Sequence, residues 1–163
     1  MPFIYTMDSY EYNERIKMDF TDKTYEEVSE YIDGLLTIDS EKLDDEAVRN
    51  QKIFADINRA YIQKSRKLYS LINQQDKIEL GRYRHYNGKE TKEHYREDPL
   101  TESLLKTDIP LYMNVDPLVV EMRSLVKECE RIVKYLEDAK GSLRSRGFDI
   151  KNAIEFRKIM LGM

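Results

Sequence analysis

The chain has 163 residues, of which 36% are charged and 40% hydrophobic, and its formal net charge is −4. This length supports one domain with a buried core, and only six Gly and four Pro favour long helices over an all-β fold. No apolar run is long enough to span a membrane and no secretory signal peptide is visible, so we expect a cytoplasmic protein.

The residues that usually carry enzyme chemistry do not form a recognisable pattern. Cys129 is the only cysteine and lies in an apolar register, which favours a buried structural thiol. His85 and His94 are nine residues apart and match no helical metal spacing. Phosphate-binding loops, dinucleotide fingerprints and nucleophile elbows are missing from the sequence. We therefore predict no enzyme activity, no metal and no cofactor.

The N-terminal residues 1–23 mix tyrosines with acidic residues and keep neither a helical nor a strand period. We interpret them as an arm that becomes ordered only by docking on a partner or a neighbouring subunit. Thr24 and Glu27 then form a capping box, and an apolar period follows. This pattern predicts a short helix that ends between Gly34 and Thr37.

The region after Ser40 reads as a long helix. Ser40 is a suitable N-cap, and no Pro or Gly follows until Gly81. Apolar residues recur in a heptad pattern: Leu43, Ala47, Phe54, Ile57, Tyr61, Leu68, Leu71 and Ile78. One long helix fits this seam, as do two helices with a bend near residues 63–65. Asn50 and Lys64 interrupt it.

The next segment combines a turn signal with charged residues. Asn87-Gly88 predicts the end of the helix, and residues 97–116 read as a linker. Within this linker, the leucines of residues 100–105 fit one helical turn. Asp108 to Val115 is predicted to be extended, because Ile109 precedes a proline.

The C-terminal part, residues 117–163, begins at Asp116-Pro117 with the most regular amphipathic pattern of the chain. Gly147 is a plausible end of this helix, and Asp149 can cap a last one. The last helix is more apolar than one core needs, so it serves either self-association or packing against the preceding helix. The candidate self-association residues are Leu125, Cys129, Ile132, Leu136, Phe148, Ile150, Ile154, Ile159 and Met160.

Positive charge concentrates in the middle of this acidic chain. Residues 59–96 hold ten basic and four acidic side chains, and the basic neck, residues 77–96, interleaves them with tyrosines. Cations attract phosphates, and tyrosine rings stack on unpaired bases for about 1–3 kcal/mol per base. The pattern indicates a surface for single-stranded nucleic acid or, alternatively, a solvated helix end. The candidate nucleic-acid contacts are Arg66, Lys67, Lys77, Arg82, Tyr83, Arg84, Tyr86 and Lys89.

Three segments carry a resemblance to a known family. The run from Leu143 to Phe148, the run from Ile38 to Leu43 and the run from Arg82 to Lys89 resemble the recombination mediators of T-even-type phages, the UvsY family. The resemblance covers residues 24–161 in the family's order and spacing. Arg82 matches a basic position that the family uses for DNA. Leu80 stands where the family has another cation, for which Lys77 or Arg84 is the natural substitute.

The resemblance implies a mainly helical protein that forms a homo-oligomeric ring, a hexamer or heptamer, through its C-terminal helices. It also implies sequence-independent binding of single-stranded DNA by residues 24–96. The implied partners are a RecA-like recombinase and the single-strand-binding protein whose DNA the recombinase is loaded onto, in the host cell cytoplasm. The alternative is a helical scaffold that acts only through protein contacts.

Overall fold

The computed structural model describes residues 18–162, and the predicted arm's Tyr5, Tyr10 and Tyr12 lie outside this range. The described chain contains five helices and no strand, which confirms the mainly α prediction. The helices are α1 (Tyr25–Leu36), α2 (Leu43–Tyr86), α3 (Lys92–Glu97), α4 (Ile109–Val115) and α5 (Pro117–Met160). Over the same residues, no helix is both long enough and apolar enough to cross a bilayer.

The first helix begins and ends where its sequence signals predict. The Thr24 hydroxyl accepts a hydrogen bond from the Glu27 amide (3.2 Å), and the Glu27 carboxylate accepts one from the Thr24 amide (2.8 Å). These reciprocal bonds satisfy two amides that have no partner inside the helix. The predicted capping box is therefore confirmed.

Two helices of 44 residues dominate the fold. The single helix α2 confirms the unbroken alternative over the one with a bend near residue 64. The break predicted at Gly147 is wrong, because α5 runs through it to Met160. A Cβ added at Gly147 would lie 3.4 Å from the side-chain amide nitrogen of Asn50, so α5 passes close to α2 at this position.

The described residues divide into two compact units. The first takes in residues up to Ser65 and those from Ile132 onward, and the second spans Arg66–Arg131. The core of the first unit consists of apolar residues from α1, α2 and α5 together with Phe20. These core residues are Phe20, Val28, Ile32, Leu35, Ile53, Ile57, Ala60, Ile132, Leu136, Ala139 and Leu143.

The predicted heptad seam of α2 is partly right. Leu43 and Ile57 are buried as expected, but Phe54 is 49% exposed, and Ile53 and Ala60 are buried in its place. The buried residues of α2 lie on the faces that pack against α1 and α5 in the first unit. The heptad repeat alone does not specify these faces. A regular heptad period is therefore an imperfect guide to burial when three helices share a core.

The polar residues that were expected to interrupt the seam lie within it. Lys64 is 3% exposed and donates to the carbonyls of Thr21 (3.0 Å) and Lys23 (2.6 Å). Asn50 accepts a hydrogen bond from Arg146, which also forms a buried ion pair with Glu46. Because these polar groups have partners, the seam accommodates them without a break in α2.

The end of the predicted arm packs on its own chain. Phe20 is 2% exposed, its ring centroid lies 5.3 Å from that of Tyr31, and its amide donates to the Gln63 side chain (2.9 Å). The expectation that residues 18–23 need another subunit or a partner for order is therefore wrong. Burial of one aromatic ring and the Lys64 contacts anchor the segment to α2.

The predicted extended segment before α5 is wrong as well. Residues 109–115 form α4, with Pro110 in the first turn and Ile109 fully buried. A proline in a first turn sacrifices no helical hydrogen bond, so burial of Ile109 overrides the preference for an extended residue before proline. The helical turn expected over residues 100–105 is also wrong, because these residues lie between α3 and α4 and are not helical.

The second unit has a small apolar core of its own. Leu71 of α2 packs with Val126 and Cys129 of α5, and Leu68 and Met122 pack against them. The thiol of Cys129 is buried, as the structural interpretation of this residue requires.

Candidate nucleic-acid interface

The basic neck begins in the last turns of α2, which ends in a glycine-dependent cap. The Gly88 amide donates to the carbonyl of His85 (3.1 Å), and the Lys89 amide donates to that of Arg84 (2.9 Å). Gly88 has a φ of +69°, which glycine adopts at little cost. This cap reverses the chain, so α3 folds back beside the end of α2.

Arg82 lies inside this part of the second unit. Its Nε donates to Asp116 (2.6 Å), and Nη1 donates to Asp98 (2.5 Å). The guanidinium also lies 5.1 Å from the ring centroid of Tyr86, and the Arg82 side chain is only 15% exposed. Burial alone would lower the pKa of Arg82, but the hydrogen bonds to Asp98, Tyr86 and Asp116 outweigh it and raise the pKa.

Asp116 connects this arginine to the start of α5. Its carboxylate accepts hydrogen bonds from the amides of Leu118 (3.0 Å) and Val119 (3.3 Å), and from the Tyr86 hydroxyl (2.8 Å). Burial would raise the pKa of Asp116, but the hydrogen bonds from Tyr86 and Arg82 hold it below its ordinary value. The carboxylate is therefore charged at neutral pH and fixes the start of α5 to α2.

These contacts change the roles open to two predicted DNA contacts. The donors of Arg82 point at carboxylates of its own chain, and the Tyr86 hydroxyl is committed to Asp116. In this arrangement both side chains hold the neck together. Direct contact of Arg82 or Tyr86 with DNA stays a prediction.

The other predicted DNA contacts lie closer to solvent. Arg66, Lys77 and Lys89 are exposed, Tyr83 is 41% exposed, and Lys67 is half-buried. Arg84 is 53% exposed and donates from Nε to Glu90 (2.9 Å). A surface ion pair of this kind is worth little, so it opens readily in favour of a phosphate.

Three of these cations share one face of α2. Arg66, Lys77 and Arg84 are separated by eleven and seven residues, close to about three and two helical turns. Tyr69 lies on the same face and is 70% exposed, although it was not among the predicted contacts. Its spacing of three from Arg66 is the signal that could have found it. We call Arg66, Tyr69, Lys77 and Arg84 the cationic face.

A histidine pair lies beside this face and was missed in the sequence. His85 is 2% exposed, and its Nδ1 lies 2.9 Å from Nε2 of His94 and 3.7 Å from Asp98. Burial, followed by the charge of Arg82, lowers the pKa of His85. A spacing of nine matches no single helix, but the chain reversal at Gly88 brings the two rings together.

The candidate self-association residues differ in their exposure. Cys129, Ile132, Leu136 and Ile150 are buried within the chain itself, so they pack against its own residues. Ile154 is half-buried. The remaining candidates are exposed: Leu125, Phe148, Ile159 and Met160. Phe156, which was not among the candidates, is exposed as well.

The chain is similar to known proteins in sequence pattern and in fold. The family model described as "Recombination, repair and ssDNA binding protein UvsY" matches residues 30–163. Comparison with individual curated protein sequences gives no match.

Two crystal structures of the bacteriophage T4 recombination mediator protein UvsY share the fold. The lattice type II structure has a TM-score of 0.74 and 18% identity, over 83% of this chain and 96% of that one. The lattice type IV structure has a TM-score of 0.71 and 17% identity, over 85% and 99% of the two chains. Together with a family model that matches most of the sequence, these findings show that the chain belongs to the UvsY family of phage recombination mediators.

Proposed function

We propose that this recombination mediator is not an enzyme and binds single-stranded DNA without sequence preference through the cationic face of α2. The observation that carries the proposal is the alignment of Arg66, Lys77 and Arg84 with the exposed ring of Tyr69. Each cation meets a phosphate of the same strand, with the next contact more than one nucleotide away, while the ring offers a stacking surface that any base fits. Lys67 and Lys89 flank this face and extend its positive potential.

The cation that the family has at the position of Leu80 is supplied by neighbours on the same face. Lys77 and Arg84 lie one helical turn before and after Leu80, so either reaches a phosphate passing over it. Arg84 is partly neutralised by Glu90, whereas Lys77 is exposed. We assign the larger share of the missing cation's role to Lys77.

Self-association into a ring completes the proposed mechanism. The exposed apolar residues at the end of α5 serve subunit contacts, and a hexamer or heptamer, as in the family, presents several cationic faces to one strand. Bending the strand around the ring weakens the hold of the single-strand-binding protein and gives a RecA-like recombinase a place to nucleate. The acidic N-terminal third suits basic patches on these partners in the host cytoplasm.

Salt titration of oligonucleotide binding tests the cationic face. For single strands, each phosphate contact contributes about −0.7 to the slope of log affinity against log salt. Arg66→Ala with Lys77→Ala should therefore weaken binding and make the slope shallower by about 1.4 for each subunit engaged. Lys106→Ala with Lys127→Ala removes the same charge from exposed positions off this face, and we expect the wild-type slope.

Substitution of Tyr69 tests whether its exposed ring contributes to oligonucleotide binding. Tyr69→Ala should lower the affinity by about 1–3 kcal/mol if one base stacks there, whereas Tyr69→Phe keeps the ring and should bind like the wild type. Equal salt slopes in the two double variants, with Tyr69→Ala binding normally, would remove the cationic face from the proposal.

A scaffold that acts only through protein contacts remains the second candidate. It is favoured by Leu80, which is 62% exposed on the same face and offers an apolar contact to a protein. Such a scaffold would show no oligonucleotide binding even in dilute buffer, so the salt titration separates the two functions.

A further inference from the structure

The end of α2 and the short helix α3 bring three potential metal ligands together within the second unit. Ligand atoms of His85, His94 and Asp98 all lie within 4.8 Å of one another. His94 and Asp98 are four residues apart at the end of α3, so they lie on the same side of one helical turn. The cap at Gly88 folds this side back onto His85.

We propose that His85, His94 and Asp98 form a binding site for one divalent transition-metal ion of the zinc type. Two imidazole nitrogens and one carboxylate are a donor set that Zn²⁺ and Co²⁺ accept. Mg²⁺ and Ca²⁺ prefer sites made of oxygen ligands alone. Three protein ligands leave a further coordination position for water.

The present spacing is close to that of a metal site. Zinc–nitrogen bonds of about 2.0–2.1 Å in tetrahedral geometry place two ligand nitrogens about 3.4 Å apart. The ring nitrogens of His85 and His94 lie 2.9 Å apart. Ligation therefore requires the two rings to separate by about half an ångström, which a small rotation of the half-buried His94 provides.

Arg82 is the principal competitor for the carboxylate. Its Nη1 lies 2.5 Å from Oδ2 of Asp98, and its charge disfavours a second cation nearby. The Asp98 side chain is 48% exposed, so it can turn and offer Oδ1 to the ion while Oδ2 keeps Arg82. The site is consequently weaker than a structural zinc site made of four protein ligands.

Bound metal would fasten α3 to the last turn of α2. His85 is next to Arg84, and Lys89 lies in the connection between the two helices. An ion that binds only the folded chain stabilises it by mass action, so it should raise the melting temperature of the protein. This effect does not depend on DNA binding, and the two proposals can fail separately.

Calorimetric titration of the full chain without an affinity tag tests the proposal. We expect one Zn²⁺ or Co²⁺ per subunit, a rise in melting temperature, visible absorption bands from bound Co²⁺, and no binding of Mg²⁺. His94→Gln keeps a polar side chain at a half-exposed position but removes the ligand, and should weaken binding at least about tenfold. Asp98→Asn should also weaken it.

Two control variants identify the ligands. Glu93→Gln removes an exposed charge from α3 without touching the cluster, and Cys129→Ala removes the thiol that also has affinity for zinc. Both should bind metal like the wild type. If the wild type binds neither Zn²⁺ nor Co²⁺, or if His94→Gln binds them as tightly as the wild type does, the metal site is refuted and His85 and His94 are a hydrogen-bonded pair only.

Discussion

Arg82 shows how one side chain changes its role between sequence and structure. In the sequence it is the central cation of a basic, tyrosine-containing segment. In the structure its guanidinium lies between Asp98 and the nearly inaccessible Asp116, with Tyr86 beside it. A buried charge with two charged partners contributes to the fold, because removing one member leaves the others without compensation.

The structural role of Arg82 predicts a loss of stability. Arg82→Ala should lower the free energy of unfolding by about 2–3 kcal/mol, because charged hydrogen bonds to Asp98 and Asp116 are lost. Arg84→Ala is the matched control. Its side chain is half-exposed and its pair with Glu90 lies at the surface, so the loss should stay below about 1 kcal/mol.

Urea denaturation monitored by circular dichroism measures both variants. Comparable unfolding free energies for the two variants would contradict the assignment of Arg82 to the fold. If Arg82→Ala instead keeps full stability and loses oligonucleotide binding, the arginine contacts DNA directly.

At the scale of elements, α5 is longer than predicted, because Gly147 does not end it. Gly81 and Gly147 lie in helix interiors, where glycine costs about 1 kcal/mol relative to alanine. Packing along α2 and α5 compensates for this cost, so neither glycine ends its helix. Gly88 does end one, because its positive φ and the hydrogen bonds donated by the amides of Gly88 and Lys89 form a cap.

Two glycine substitutions in the neck should have opposite signs. Gly81→Ala introduces a methyl group that meets no atom within 4 Å, so we expect a gain of about 0.5–1 kcal/mol. Gly88→Ala forces an L-residue to a φ of +69° and should cost about 1–2 kcal/mol. Thermal unfolding of the two variants decides this, and a loss of stability in Gly81→Ala would show that α2 needs a flexible point there.

For the whole molecule, the distribution of charge gives the proposed assembly a physical reason. The chain carries a net charge of −4, while residues 59–96 alone carry six more basic than acidic side chains. On the proposed function, a single cationic face with three aligned cations would bind DNA weakly at physiological salt, because few phosphates would be neutralised. Several faces joined in the proposed ring would bind the same strand with a high effective concentration.

Weakening self-association should therefore weaken DNA binding. Phe148→Ser with Ile159→Ser removes two exposed apolar side chains from α5, and we expect a smaller assembly and a loss of affinity of about a hundredfold, the lower end of avidity effects. Val48→Ser with Leu105→Ser removes equally exposed apolar groups elsewhere and serves as the control.

Native mass measurement with and without an oligonucleotide reads both effects at once. A wild-type mass for the Phe148 and Ile159 variant would exclude this end of α5 as the interface. A smaller assembly that binds DNA with unchanged affinity would instead separate ring formation from DNA binding.

Local patterns predicted much of the fold correctly. The capping box at Thr24, the start of α5 at Pro117 and the turn at Gly88 depend on residues a few positions apart, and all lie where they were predicted. Predictions that depended on a partner far along the chain fared worse. Asn50 and Lys64 were expected to disturb the seam, yet Arg146 and the carbonyls of residues 21 and 23 satisfy them.

The sequence by itself determined the helical class, the signals that begin α1 and α5, the concentration of cations in residues 59–96 and the family. The first three follow from composition and from interactions between residues at most one helical turn apart, and the family follows from the resemblance of three segments. Only the tertiary structure decided that Arg82 faces Asp116, 34 residues away, and that His85 meets His94. The partner of a side chain depends on which distant segments pack beside it, and helical periodicity does not specify those segments.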